Sequence, residues 1–145
     1  ARDVNPVAGI GFKLYEGAWN KIPDFESLSP VEEGSAKVID LSPALGRTKD
    51  FGLVFQGYLQ APETGVYQFI LNSDDGARLL INNQELIDHD GIHGMGEEKG
   101  TIGLEKGFHS IEFHYFQHLG GQGLRLSWTY LDYPKSLIAP THYFR

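Results

Sequence analysis

Two neighbouring runs near the C-terminus constrain this chain most. From Ile111 to Gln117, Ile111, Phe113 and Tyr115 alternate with Glu112, His114 and Phe116. From Leu124 to Tyr130, Leu124, Leu126, Trp128 and Tyr130 alternate with Arg125, Ser127 and Thr129. A period of two with one apolar face marks a half-buried antiparallel strand. The intervening His118-Leu119-Gly120-Gly121-Gln122-Gly123 is a glycine-rich loop that closes a hairpin. A chain built on such a pair folds as sheet.

The rest of the second half follows suit. Gly52 to Gln60 reads as a strand with Leu53, Phe55 and Leu59 on one face, and Pro62 to Gly65 as a turn. Val66 to Leu71 is apolar on both faces, which predicts a central strand. Ala77 to Ile81 follows, then an Asn82-Asn83 hairpin turn into Glu85 to Asp88. Thr101 to Leu104 is a short strand before a Glu105-Lys106-Gly107 turn. In the less regular first 50 residues, Gly11 to Gly17 is a candidate strand. Asp24 to Gly34 and Leu41 to Arg47 read as loops with a helical turn.

The expected fold class is all-β, an antiparallel β-sandwich or barrel of about 8–10 short strands with short helical turns near the N-terminus. No internal repeat or linker is visible, so residues 1–145 read as one β module, excised from a larger multidomain protein. The 18 glycines argue against helix. A net charge of -7 argues against nucleic acid as a partner and against an anionic membrane surface, while mildly favouring a cation. With no cysteine there is neither a disulfide framework nor a thiolate metal site. No apolar run approaches the ~20 residues of a membrane-spanning helix. Ala1-Arg2-Asp3 opens without a basic-then-apolar segment, so a secretion signal would lie outside this sequence.

Asn72-Ser73-Asp74-Asp75-Gly76 lies between two apolar strands and has two readings. One is a hairpin turn, with glycine at positive φ and aspartate bonding its own backbone. The other is a calcium site, since Ca²⁺ takes ~6–8 oxygens, carboxylates and backbone carbonyls among them. Successive side chains of an extended chain point to opposite faces. Asp74 and Asp75 can therefore grip one ion only through an unusual backbone, such as a cis bond between them.

Other candidates come with plainer alternatives. His89, Asp90 and His93 have side chains suited to a transition metal, but their spacing matches no specified zinc pattern. A polar loop with turns set by Gly91, Gly94 and Gly96 is the simpler reading. An intermediate one places His89 or His93 at the Asp74 end, where an imidazole edge would bond a sugar hydroxyl. Glu97 and Glu98 with the two aspartates suggest glycoside hydrolysis, which needs two carboxyls ~5–9 Å apart. Nothing else in the chain supports catalysis, so no enzyme activity is expected. Trp19, Trp128, Phe116 and Tyr133 are possible sugar-stacking surfaces. Trp128 lies on the apolar face of its strand and reads as core. Phe116 is either exposed or buried under the first 50 residues.

The run Asn72-Ser73-Asp74-Asp75-Gly76-Ala77-Arg78-Leu79, with Ile81 and then Asp88-His89-Asp90-Gly91, resembles the core signature of the protective-antigen-fourteen domain family. Phe51 to Tyr58, Gly65 to Phe69, Lys106 to Ile111, Phe113-Tyr115-Phe116, the Gly120-Gly121 loop and Leu124-Leu126-Trp128 fit in order. Tyr15 to Trp19 followed by Pro23-Asp24-Phe25 resembles a subgroup attached to bacterial secreted proteins. The resemblance implies a β-sandwich or barrel module carried by secreted glycosidases, adhesins and toxins. The protein would then be extracellular, on the cell surface or periplasmic. In sugar-binding members a paired Asp motif with a cis bond holds Ca²⁺, and the ion contacts ligand hydroxyls. By position, Asp74 and Asp75 match that pair.

In those members a loop near the last hairpin adds an Asn side chain and backbone carbonyls. The matching loop here, His118 to Gly123, has no Asn. Gln122 would offer an amide oxygen, and Gly120 or Gly121 a carbonyl. The expectation is a non-catalytic glycan-binding module with Ca²⁺ at Asp74, Asp75 and Gln122. Its ligand surface would comprise Asp74, Asp75, His89, Asp90, His93, His118, Gly120, Gly121 and Gln122. The expected partners are a glycan or polysaccharide and the neighbouring domains of the parent protein. A structural or protein-interaction module without sugar affinity is the alternative, and a glycoside hydrolase the third.

Overall fold

The computed structural model describes residues 7–145. The chain forms β1 (Ile10–Glu16), β2 (Glu32–Ala36), β3 (Phe51–Ala61), β4 (Gly65–Asp74), β5 (Ala77–Ile81), β6 (Gln84–His89), β7 (Gly96–Leu104), β8 (Gly107–Gln117), β9 (Gly123–Tyr130), β10 (Ser136–Leu137) and β11 (Tyr143–Phe144). Single 3₁₀ turns lie at Phe25–Ser27, Ser42–Ala44 and Pro140–His142. All pairings are antiparallel. One sheet runs β2-β1-β3-β8-β5-β6 with β11 also on β3; the other runs β10-β9-β4-β7. The sheets form an open sandwich and not a closed barrel.

The alternation read from the sequence sets the core. Ile111, Phe113 and Tyr115 of β8 point inward with Leu53, Phe55 and Leu59 of β3 and Leu79 of β5. They meet Tyr67, Phe69 and Leu71 of β4 and Leu126 and Trp128 of β9 from the facing sheet. Burial of these apolar faces is the dominant favourable term. Trp128 is therefore core, as its strand position indicates.

Several expectations change. The described residues form eleven strands, and β3 and β8, at eleven residues each, are not short. The stretch read as a loop from Asp24 to Gly34 does hold a helical turn, but Glu32–Ala36 is an edge strand paired with β1. Its exposed Glu32-Glu33-Gly34-Ser35 offers no apolar face to signal a strand. The two-residue strands β10 and β11 are too short to show a period. Val66 lies on the outer side of β4 and is 62 % exposed, although the strand is central to its sheet. Asn82 and Asn83 both take positive φ, 52° and 67°, as the two-residue hairpin turn requires.

Phe116 is fully buried on the outer side of β8, where the N-terminal segment covers the large sheet. Phe25 of that segment lies edge-on to His114, with ring centroids 5.7 Å apart, and tilts against Tyr15 at 4.9 Å. Tyr15, Phe25 and Val54 form a small second cluster flanked by Trp19 and Ile22. Tyr133 remains exposed at the rim beside Tyr130.

Gly57 interrupts the inward face of β3 for a steric reason. A Cβ there would sit 2.3 Å from the Phe144 carbonyl oxygen. Gly57→Ala should displace β11 and cost about 1–3 kcal/mol, read by urea denaturation, with faster amide exchange at Phe144 and Arg145.

Candidate functional site

Antiparallel pairing brings the β4–β5, β6–β7 and β8–β9 connections to one end of the sandwich. Asp74 of β4 stands opposite Gly123 of β9, and Ala77 of β5 opposite both Tyr115 of β8 and His89 of β6. The Asp74–Gly76 link is not a hairpin: it carries the chain from the four-stranded sheet to the large one. Gly76 is required by packing and not by a positive φ. A Cβ on it would lie 2.4 Å from the Phe116 ring and 2.9 Å from Asp90 Oδ1.

The Asp74–Asp75 peptide bond is cis. Asp75 is 2 % exposed. Its Oδ1 accepts the His93 N–H at 3.1 Å, and its Oδ2 accepts the His118 N–H at 2.8 Å. One carboxylate therefore fastens both flanking loops to the crossover. Asp75 does not bond its own neighbouring backbone as a simple Asx turn would. Below it, Ser73 Oγ donates to the Asp75 carbonyl at 2.9 Å, and the Tyr115 hydroxyl donates to the Asp74 carbonyl. Burial raises the Tyr115 phenol far above its usual range, and the Asp74 and Asp75 charges add to that.

Asp74 is half-buried, its Oδ2 facing the β8–β9 loop, where a Cβ on Gly121 would lie 3.3 Å away. Burial raises its carboxyl above the ordinary carboxylate range. The charge of Asp75 and a side-chain hydrogen bond to it raise it further, while His93 pulls the other way. Among the described residues, no Lys or Arg forms an ion pair with either aspartate. The half-buried Asp74 carboxylate and the buried Asp75 carboxylate thus lie together without a cationic side chain, the setting a divalent cation relieves.

The remaining predicted ligands divide. His118 and His93 reach the site through their backbone N–H groups. The His93 ring stacks on His89 with centroids 4.0 Å apart. Its Nδ1 lies 2.8 Å from the Gly94 carbonyl and its Nε2 2.9 Å from that of His89. The His93 ring nitrogens thus face backbone carbonyls, whereas His89 Nε2 is buried without a hydrogen-bond partner among the described residues. Among the described residues no three His, Cys, Asp or Glu side chains gather as a metal centre. Burial lowers the His89 pKa, and the neighbouring His93 lowers it further. Asp90 is a tie: its Oδ1 accepts the N–H of Ile22 and of Gly91, both at 2.7 Å, anchoring the N-terminal segment to the β6–β7 loop.

The β8–β9 loop differs most from expectation. The carbonyls of Gly120 and Gly121 accept the Gln117 side-chain amide at 3.3 and 3.0 Å, alongside that of Thr48 at 3.2 Å. Gln122 is exposed, and no described hydrogen bond joins it to Asp74 or Asp75. Gln117, fully buried at the end of β8, was not singled out from the sequence, yet it holds the shape of this loop. Its signal in the sequence is a polar amide directly after the apolar pair Tyr115-Phe116, at the edge of the glycine-rich loop. Glu97 is drawn off to Lys99 and Lys135, each at 3.7 Å, and Glu98 faces His89 at 3.9 Å.

The raised Asp74 pKa has a definite consequence. The folded state binds this proton more tightly than the unfolded chain, so stability falls as pH rises from the unfolded value, ~3.9, through the folded one. In chelator at pH 7, Asp74→Asn should melt slightly higher than wild type, on the order of 1–2 °C. The difference should vanish below pH ~3, checked by melting curves across pH.

Comparison with known proteins agrees with this fold. Solved structures superpose over nearly the whole chain. An anti-sigma factor domain-containing protein matches with a TM-score of 0.81 and 21% identity, over 94% of this chain and 47% of its own. This chain thus spans about half the length of that protein. The PA14 domain of the MpAFP antifreeze protein matches at 0.80 and 18%, over 99% and 94%. A PA14 sugar-binding domain from an RTX adhesin matches at 0.80 and 20%, over 96% and 99%. No curated protein sequence matches. Residues 29–142 match the PA14 domain family, from the edge of β2 to the last 3₁₀ turn, and the chain belongs to that family.

Proposed function

We propose that this domain is a non-catalytic glycan-binding module in which Ca²⁺ at Asp74 and Asp75 takes sugar hydroxyls as further ligands. The observation that carries the reading is the convergent carboxylate pair with no cationic side chain beside it. Such a pair suits a hard, oxygen-seeking ion, and an ion held at a loop end keeps coordination positions for hydroxyl oxygens. The RTX adhesin domain of similar fold is described as sugar-binding, which supports the same use here. The site would serve a secreted or cell-surface bacterial protein, with neighbouring domains as its other partners.

Asp74 and Asp75 would hold the ion through side-chain oxygens. The β8–β9 loop would contribute from Gly120, Gly121 or Gln122, with no requirement for catalysis by any of them. The acids that suggest hydrolysis are engaged elsewhere: Glu97, on the four-stranded sheet, is paired with Lys99 and Lys135.

A second reading is a purely structural ion site without sugar affinity. It is favoured by the engagement of the Gly120 and Gly121 carbonyls with the Gln117 amide, which leaves each oxygen only one further lone pair.

Melting curves and glycan arrays separate these. Ca²⁺ at about 100 times its Kd should stabilise the wild type by about 2.7 kcal/mol, and EDTA should reverse this. Asp74→Ala and Asp75→Ala should lose the response. Asp75→Ala should also cost about 2–4 kcal/mol without Ca²⁺, because two backbone N–H groups lose a charged acceptor. Glycan-array binding in Ca²⁺ that disappears in chelator supports the lectin reading. A melting shift with a blank array in both states selects the structural ion.

A further inference from the structure

We infer that Trp19 and His118 form a second sugar subsite, which takes the residue next to the one held at the Asp74–Asp75 pair; this rests on the glycan-binding reading above. The observation is a surface depression of about 380 Å³ lined by Ala18, Trp19, Asn20, Lys21, Pro23 and His118. Its size falls within the ~300–1,000 Å³ range of small-molecule sites.

The depression is wired directly to the aspartate pair. The Gly17 N–H donates to the Asp50 carbonyl at 3.0 Å, and the Asp50 N–H to the His118 carbonyl at 2.9 Å. The His118 N–H then donates to Asp75 Oδ2 at 2.8 Å. His118 therefore belongs to both places: its backbone N–H is on the carboxylate, and the residue lines the depression. The other end of the Trp19 loop is fixed by the Ile22 N–H on Asp90. The loop is tied at both ends to the elements that shape the candidate cation site.

The Trp19 ring is held in place from beneath. A Cβ on Gly17 would lie 2.4 Å from its Cζ2, and one on Gly52 would lie 3.1 Å from its Cζ3. Phe25 meets it edge-on, with centroids 5.8 Å apart. Two glycines and one aromatic edge thus seat the indole, while the residue stays half-buried with surface in the depression. Asn20 and Lys21 are exposed at its rim.

This arrangement fits the two-sided chemistry of a pyranose. Hydroxyl edges suit a cation, and C–H faces suit an aromatic surface with polar groups around it. A cation-bound first residue would extend its neighbour over the indole, with Asn20 and Lys21 reaching its hydroxyls. Selectivity for a disaccharide over a monosaccharide would then reside in the N-terminal loop.

The two tryptophans make the test selective. Trp128 is buried in the core, so 5-fluorotryptophan gives one buried and one accessible ¹⁹F signal, assigned with Trp19→Phe. The Ca²⁺-loaded domain is titrated with galactose, glucose, mannose, fucose and N-acetylglucosamine and with their β1-3 and β1-4 linked disaccharides. The expected result is a disaccharide that binds about five- to tenfold tighter than its monosaccharides and moves the Trp19 signal. Trp19→Ala should abolish that advantage, Trp19→Phe should keep most of it, and both should retain the Ca²⁺-induced melting shift. Sugar binding that Asp74→Ala destroys, with the Trp19 signal unmoved and Trp19→Ala unaffected, would overturn the subsite and leave the glycan-binding reading intact. No binding by any sugar of the panel would overturn both.

Discussion

The Asp75 carboxylate is the contact on which this end of the molecule depends. It is almost wholly buried, and its two oxygens accept backbone N–H groups from two different loops. A buried carboxylate needs such partners, and a loop backbone at a sandwich end needs an acceptor. Each requirement meets the other. The β6–β7 and β8–β9 loops are thereby held to the point where the chain crosses between sheets. Through His118 and Asp90 the N-terminal segment is attached as well.

The sandwich supplies the frame for that contact. Tyr115, core-facing on β8, supports the Asp74 carbonyl from below. Phe116, on the opposite face of the same strand, fills the space that Gly76 leaves. A strand's alternation thus serves both the core and the site. Gln117, the next residue, sets the course of the following loop. Three successive residues of β8 determine the floor, the wall and the rim of the aspartate pair. Asp74 is the member left without backbone donors to its carboxylate; burial, with the Asp75 charge beside it, raises its pKa.

Much of this was legible in the sequence. The core faces of β3, β8 and β9 followed from a period of two, and the Asn82-Asn83 turn from residues that tolerate positive φ. The aspartate pair was found because its neighbours resembled a known signature. What escaped had physical reasons. Glu32–Ala36 is an edge strand with exposed side chains, so no apolar pattern marks it. For Phe116 the sequence left two places open, exposed or buried under the first 50 residues, because its cover comes from residues far away in sequence; it is buried. His93 and His118 act through their backbones, which side-chain chemistry cannot announce. That Gly120 and Gly121 each accept the Gln117 amide was not legible, because that contact depends on the course of the loop.

The central claim, that a cation seats at Asp74 and Asp75, is tested most directly by titrating CaCl₂ into ¹⁵N-labelled domain and following backbone amides by NMR. The expected result is saturable shifts confined to Asp74–Gly76, His93 and His118–Gln122, abolished in Asp74→Ala. Amides at the opposite end, Asn82 and His109 among them, should not move. Shifts spread evenly over the surface, or none at millimolar Ca²⁺, would contradict it.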